Sequence, residues 1–293
     1  MMTDYAIRAI SKDGKVRGFA AITTNLVQEL QKRHGTYPVV SAALGRTATM
    51  GALIGLTLKE ERHKVTIQVA GDGPIGRIIV DADGEGHVRG SVDNPYVEHN
   101  DDYKLNVGAA VGQGSIYVTK DLGLKEPYRG ASPIISGELA EDFTYYFAVS
   151  EQTPSSVGLG VLVKGEQILV AGGYMIQVMP GASDEVITRL ETAIEELNKL
   201  TSISELLHQG VTAEELLVRL MGEGTEILHK QPISFACHCS REKSRTMLKS
   251  LGKEELKSLL NELGQAEVVC HFCNEKYMFS GEELERIIKE EVN

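Results

Sequence analysis

The chain has 293 residues, enough for one large domain with a small one, or for two domains of medium size. Hydrophobic residues make up 42% of it and charged residues 24%, a composition typical of globular proteins. The net charge of −11 repels phosphate backbones and anionic membranes, so the composition argues against nucleic-acid binding.

The first part of the chain combines strand and helix patterns. Residues 4–22 predict a β-hairpin with Asp13-Gly14 at its turn. The amphipathic helix TNLVQELQKRH follows, and residues 38–58, PVVSAALGRTATMGALIGLTL, predict a helix buried on several sides. Arg46 and several hydroxyl groups interrupt this last segment, so we do not expect it to span a membrane.

Strand patterns dominate the rest of this part. The runs KVTIQVA, GRIIVDA and GHVRGSV precede a region rich in Gly, Asp, Asn and Pro, at about 92–135, that predicts loops with short strands. A helix is predicted in GELAEDFTYYFAVSEQ and strands again in VGLGVLVKGEQILVAGGYMIQVM. These patterns predict an α+β fold, with a mixed-sheet N-terminal domain over residues 1–179.

The sequence GDGPIG, residues 71–76, matches the glycine pattern of dinucleotide-binding loops. That motif should open a helix, whereas Pro74 and the β-branched run after it indicate a strand. A plain hairpin turn is therefore predicted here. We find no other motif of a catalytic site in residues 1–230, and the sequence predicts no enzyme.

After Pro180-Gly181 the pattern becomes helical and predicts a linker over residues 180–231. Residues 183–200 place apolar side chains on one helical face, with Ser183 as the candidate N-cap. Thr212 and Glu215 form a capping box at the start of a further helix that ends at Gly222. The apolar faces of these helices must be covered, and the sheet domain is the nearest candidate.

Residues 232–293 predict a third, small domain. Two short helices are expected at about 241–251 and 253–263, and a final helix after Ser280, with Glu283 completing a capping box. All four cysteines of the chain lie in this domain: Cys237, Cys239, Cys270 and Cys273.

The cysteines predict a metal site. The N-terminus has no secretory signal, so we expect a cytoplasmic protein, in which clustered thiols are metal ligands or redox centres rather than structural disulfides. Two close pairs separated by 30 residues suit one tetrahedral Zn²⁺ per chain. His238 and His271 each lie inside a pair, so a site of three cysteines and one histidine is the alternative to exposed histidines.

The expected zinc has consequences for stability and redox chemistry. A structural zinc contributes about 10–16 kcal/mol of apparent binding free energy, which exceeds what a domain of this size can draw from its core. Its loss should therefore unfold residues 232–293. Zinc-bound thiolates remain nucleophilic towards peroxide or hypochlorite, and each pair is close enough to form its own disulfide, although one across a single residue is strained.

The whole chain resembles the bacterial 33-kDa chaperonin family of redox-regulated heat-shock holdases. The resemblance rests on the C-x-C and C-x-x-C pairs with their spacing, and on the segments VTKDLGLKEPYRG (118–130) and YYFAVSEQTPSSVGLGV (145–161). It implies zinc bound by the four cysteines in the reduced protein, and release of zinc when the disulfides Cys237–Cys239 and Cys270–Cys273 form. It also implies ATP-independent binding of unfolding client proteins, a homodimer when oxidised, and no catalytic residues.

The leading hypothesis is that metal loss unfolds the small domain and loosens the linker from the sheet domain. Client proteins would then meet apolar side chains, or the surfaces they covered, at Leu190, Ile194, Leu216, Leu217 and Leu220.

Two other classes of function stay open. A zinc-ribbon nucleic-acid module conflicts with residues 231–293, which have nine basic and eleven acidic residues and therefore a net charge of −2. A thiol–disulfide oxidoreductase would use Cys270-His271-Phe272-Cys273, but such a motif normally opens a helix, and the next predicted helix begins only after Ser280.

Overall fold

The computed structural model of the protein describes residues 3–98 and 105–290. It divides into two compact units, Met1–Ala236 and Cys237–Asn293. Both units combine helices and sheets, so the predicted α+β class is confirmed. No helix of the described ranges is both long and apolar enough to cross a lipid bilayer.

The larger unit contains two sheets. Sheet A has the strand order β10-β1-β2-β9-β8, with all neighbours antiparallel. Its strands are β1 (Tyr5–Ile10), β2 (Val16–Ile22), β8 (Ser155–Lys164), β9 (Gln167–Val178) and β10 (Glu226–Pro232). The predicted hairpin with Asp13-Gly14 at its turn is confirmed as β1 and β2.

Sheet B has the order β11-β5-β4-β3-β6-β7, antiparallel except for the parallel pair of β11 and β5. Its strands are β3 (Lys64–Gly71), β4 (Arg77–Asp83), β5 (His87–Val92), β6 (Gly114–Asp121), β7 (Tyr128–Pro133) and β11 (Ser234–Phe235). The GDGPIG segment lies at the turn from β3 to β4, which confirms a hairpin there. The region at 92–135 contains more strand than expected, because β6 has eight residues.

Two helices pack between the sheets. α1 (Thr24–His34) and α2 (Pro38–Gly55) share one apolar core with side chains from both sheets. Sixteen of the 18 residues of α2 are buried, which confirms the predicted buried helix. Its small residues permit this: a Cβ on Gly45 would lie 2.6 Å from the Val27 side chain. Two further helices, α3 (Val107–Val111) and α4 (Ala140–Val149), complete this part of the chain.

The opposite face of sheet A is covered by three helices, which we call the covering helices: α5 (Asp184–Leu200), α6 (Ile203–His208) and α7 (Ala213–Met221). They form a second apolar core with β1, β2 and β9. The capping box of Thr212 and Glu215 is confirmed at α7. Ser183 occupies the N-cap position of α5, but its side chain makes no capping hydrogen bond.

The smaller unit is built from α8 (Arg241–Ser250), α9 (Lys253–Leu263), the hairpin of β12 (Gln265–Val269) with β13 (Lys276–Ser280), and α10 (Gly281–Glu290). The predicted helices are confirmed, and so is the capping box at α10, where the Ser280 N–H donates to Glu283 Oε2 at 2.9 Å. The sequence patterns did not reveal the hairpin. The smaller unit contains the third apolar core of the protein, which has seven buried residues: Leu248, Leu256, Ala266, Phe279, Leu284, Ile287 and Ile288.

Candidate metal centre

The four cysteine sulfurs lie together in the smaller unit. All four Sγ atoms are within 4.8 Å of one another. Cys237 Sγ is 3.7 Å from Cys270 Sγ, and Cys239 Sγ is 3.3 Å from Cys273 Sγ. None of the four is in a disulfide bond; Cys273 is buried and the other three are half-buried. The two cysteine pairs, 33 and 34 residues apart in the chain, thus form one cluster.

The first pair is positioned by the start of α8. Ser240, directly after Cys239, is the N-cap of this helix, and its Oγ accepts a hydrogen bond from the Lys243 N–H at 3.2 Å. Lys243 Nζ donates to the carbonyl oxygen of His238 at 2.5 Å. These bonds fix the chain on both sides of Cys239, so the sulfur is held by the helix start.

The second pair lies on the turn between β12 and β13. The Cys270 N–H donates to the Glu275 oxygen at 3.0 Å, and the Asn274 N–H donates to the Cys270 oxygen at 2.8 Å. Asn274 has φ of 55°, a left-handed conformation that Asn adopts more easily than most residues. The pair is therefore on a hairpin turn, and no helix begins there as a thioredoxin-like site would require.

The donor set and its spacing fit a tetrahedral zinc ion. With Zn–S bonds of about 2.3 Å, two sulfurs of a regular tetrahedron are about 3.8 Å apart. The Cys237–Cys270 distance of 3.7 Å agrees with that value, and the Cys239–Cys273 distance of 3.3 Å is somewhat shorter. Four thiolates complete a closed structural site. The side chains of His238 and His271 are exposed.

The thiols need a cation to become thiolates together. Burial raises the pKa of Cys270, although the N–H groups of Phe272 and Cys273 favour its thiolate. Burial also raises the pKa of Cys273, and hydrogen bonds with the three neighbouring thiols raise it further because they favour its neutral form. A divalent cation reverses this balance.

Tyr277 on β13 is a neighbour of the cluster that the sequence did not indicate. Its hydroxyl donates to Cys239 Sγ at 3.2 Å. This hydrogen bond raises the pKa of Tyr277, with burial adding to the effect. Tyr277 therefore contacts one of the four sulfurs directly and belongs to the immediate surroundings of the cluster.

The smaller unit is held chiefly by its seven-residue core, with three partly buried residues packed against it. Three ion pairs join α8 to α10: Arg241 with Glu283 at 2.7 Å, Lys249 with Glu290 at 2.5 Å, and Arg245 with the same Glu290. All three are partly exposed, and such pairs contribute little to stability. The four sulfurs connect the start of α8 to the β12–β13 turn, so a bound metal would join the first and middle parts of the unit.

The apolar surface of the larger unit lies under the covering helices. Leu190 of α5 and Leu216, Leu217 and Leu220 of α7 are at most 3% exposed, and Ile194 is packed against them. On the sheet side they meet residues such as Ile7, Val16 and Tyr174. The sequence correctly indicated that the helices need a cover, and sheet A provides it.

Comparisons with known proteins agree over the whole chain. A family model described as "Hsp33 protein" matches residues 4–280. Proteins named 33 kDa chaperonin from Staphylococcus aureus strains JH9 and Newman are each 51% identical over 294 residues, which covers 99% of this chain and 99% of each relative. A crystal structure of a 33 kDa chaperonin (heat shock protein 33 homolog) from Thermotoga maritima matches with a TM-score of 0.93 and 37% identity, over 100% of this chain and 99% of that one.

Proposed function

The chain belongs to the Hsp33 family of chaperones, and on this premise we propose that it is a redox-regulated, ATP-independent holdase. In the proposed cycle the reduced, metal-bound form is inactive. Oxidation then unfolds the smaller unit and exposes a surface that binds unfolding proteins. The observation that supports this cycle best is the cluster of four sulfurs in a unit with a small core.

We assign one Zn²⁺ per chain to Cys237, Cys239, Cys270 and Cys273. The support is the closed set of four soft sulfur ligands and the tetrahedral spacing of their Sγ atoms. When bound, the ion keeps the four sulfurs deprotonated, and its binding free energy of about 10–16 kcal/mol stabilises the folded unit.

Oxidation proceeds at the sulfurs. Two molecules of hydrogen peroxide accept four electrons from the four thiolates, and with four protons they yield four molecules of water and two S–S bonds. We propose the pairs Cys237–Cys239 and Cys270–Cys273, which are the neighbours in sequence. Disulfide sulfurs are neutral and no longer bind the cation, so the cysteines lose their metal in this step. The half-buried positions of three of the four sulfurs give the oxidant access.

Loss of the metal unfolds the smaller unit, because its seven buried residues are too few to offset the conformational entropy of folding. The covering helices then loosen from sheet A. Client proteins bind to the apolar side chains released from the second core, chiefly the leucines of α5 and α7. Binding of this kind requires neither ATP nor a catalytic residue.

The remaining parts of the proposal concern assembly and location. The oxidised protein is a homodimer in the cytoplasm, where thiols stay reduced until oxidative stress. Its partners are unfolding proteins. Nucleic acids and membranes are not partners, consistent with the net charge of −11.

The experiment compares reduced and peroxide-treated protein for suppression of light scattering by a thermally unfolding client enzyme. Only the oxidised protein should protect the client, and dithiothreitol with Zn²⁺ should restore the inactive form. His271→Ala is the matched control, since this exposed side chain lies between the second pair and should change neither state. Equal protection by both forms would refute the proposed switch.

A further inference from the structure

Strand β10 is held to sheet A by few side-chain contacts. All but one of its seven residues are exposed, including Ile227 at 38% and Leu228 at 49%. Between Glu226 and Ala236 the one buried side chain is Ile233. The strand is therefore attached to β1 mainly through the main chain, at the edge of the sheet.

The pairing of β10 with β1 is interrupted. Arg8 lies opposite His229 and Ala9 opposite Ile227, so Leu228 is the extra residue of a β-bulge. The Ile233 N–H donates to the Asp4 oxygen at 3.1 Å, so the main-chain groups of Asp4 face β10. In an antiparallel ladder every second residue faces the same neighbouring strand, so the N–H and C=O groups of Ala6 and Arg8 face β10 as well. Removal of β10 would leave these groups without their strand partner.

One polar cluster connects β10 to a covering helix. Glu214 of α7 accepts hydrogen bonds from the Tyr5 hydroxyl at 2.6 Å and from Lys230 Nζ at 2.8 Å. Lys230 Nζ also lies 3.8 Å from the centre of the Tyr5 ring. Because α7, β1 and β10 meet at these three side chains, movement of α7 takes Glu214 away from Lys230 and leaves β10 with the contact of Lys230 on the Tyr5 ring.

We propose that in the activated protein β10 leaves β1, and that the freed edge of β1 binds an extended segment of the unfolding client as an added antiparallel strand. This inference rests on the proposed function, since it requires the covering helices to loosen. It adds a docking site of defined geometry to that function. Strand addition at a sheet edge is an established mode of peptide recognition.

The protein itself shows what this edge accepts. β10 occupies it as an antiparallel strand whose side chains are mostly exposed, so the edge selects main-chain geometry rather than a particular sequence. An unfolding protein offers many extended segments with unpaired N–H and C=O groups. Ile7 and Ala9 of β1 face the second core, and α7 covers them in the closed state, so its departure adds an apolar surface beside the edge.

The other edge of sheet A, along β8, does not change when β10 departs. Within the described ranges β8 has β9 as its only strand neighbour, so its free edge is the same whether or not β10 is in place. An edge that is already free cannot distinguish the inactive from the active form. The β1 edge becomes free only when β10 departs, as a regulated docking site requires.

The test uses Arg8, whose side chain is exposed and whose N–H faces the edge. Arg8→Pro removes that N–H without touching the pairing with β2, and edge strands tolerate Pro at such positions. Arg8→Ala is the matched control, because it keeps the N–H. Binding of fluorescently labelled, carboxymethylated lactalbumin, a permanently unfolded protein, is measured on the oxidised full-length chains.

Oxidised Arg8→Ala should bind this probe as the unchanged chain does, and oxidised Arg8→Pro about five- to tenfold more weakly, the effect of one lost hydrogen bond and the local distortion. Equal or tighter binding by Arg8→Pro would overturn the proposal. If the oxidised unchanged chain does not bind the probe, the proposed function itself has failed, which is a different result.

Hydrogen exchange on the unchanged chain gives a second measurement that does not depend on a variant. The amides of Ala6 and Arg8 should lose protection on oxidation and regain it when the probe saturates the protein. Protection that persists after oxidation would show that β10 stays in place and would overturn the proposal. Protection that is lost and does not return with the probe would also overturn it.

Discussion

Phe279→Ala tests whether folding of the smaller unit and metal binding are one event. Phe279 lies on β13, is 1% exposed, and belongs to the seven-residue core. Its ring also lies 4.5 Å from the Arg241 guanidinium carbon at the start of α8, beside the first cysteine pair. Truncation to Ala leaves a cavity in the centre of the unit without removing a sulfur ligand.

The magnitude follows from the size of the core. Replacing a buried Phe by Ala costs about 3–5 kcal/mol of folding free energy. If the metal-free unit is unfolded, every binding event includes folding, and the same amount is lost from the apparent affinity for zinc. Since each 1.4 kcal/mol is a factor of about ten, the apparent Kd should rise about 10²- to 10⁴-fold.

The assay is competition for Zn²⁺ with a chromogenic chelator, using the reduced protein. Met278→Ala is the control, because Met278 neighbours Phe279 on the same strand but is 43% exposed, and its affinity should stay within a few-fold of the unchanged chain. An unchanged affinity for Phe279→Ala would show that the metal-free unit is already folded, and the reasoning would be refuted.

Three further predictions concern the covering helices and the metal. Gly160→Ala would place a Cβ 2.5 Å from the Ser204 N atom of α6, so we expect a loss of about 1–3 kcal/mol in denaturant unfolding and client protection at lower peroxide concentrations. Burial raises the pKa of Glu214, but hydrogen bonds from Lys230 and Tyr5 outweigh it and lower the pKa below 4.5. Ionised Glu214 therefore stabilises α7 above pH 4.5, and the Tm difference from Glu214→Gln should shrink as the pH falls through the lowered pKa. Removal of zinc from the reduced protein by a chelator should lower the far-UV circular dichroism by the contribution of α8–α10 and leave the contribution of the larger unit unchanged.

Each of these outcomes has a contrary result. For Gly160→Ala the control is Lys164→Ala, an exposed position on the same strand. If both variants begin to protect the client at the same peroxide concentration, the close packing of α6 on β8 does not determine how much peroxide activation requires. If the Tm difference between the unchanged chain and Glu214→Gln is the same at every pH, the charge of Glu214 does not stabilise α7. Unchanged dichroism after chelation would show a metal-independent unit.

The elements that could be predicted from the sequence are those whose pattern lies within one short segment of the chain. The hairpin of β1 and β2 has an Asp-Gly turn, and α2 has an uninterrupted series of small and apolar residues that only a surrounding core can cover. The cysteine cluster was also predictable, since two close cysteine pairs at this spacing are typical of a metal site. Their meeting in one place depends on the β12–β13 hairpin, which the sequence did not reveal.

The elements that the sequence did not predict depend on distant partners. β10 has no alternation of buried and exposed residues, because it lies at an edge and both of its faces are exposed. It is a strand only because β1, more than 200 residues earlier, pairs with it. The contact of Tyr5 with Glu214 spans 209 residues, and no local pattern indicates it.

The most direct test of the account measures released zinc, free thiols and hydrogen exchange of the β12 and β13 amides in the same samples during titration with peroxide. The account predicts that four thiols disappear as one zinc per chain is released, and that these amides lose protection at the same peroxide dose. A metal-free, fully oxidised protein whose β12 and β13 amides remain protected would contradict it.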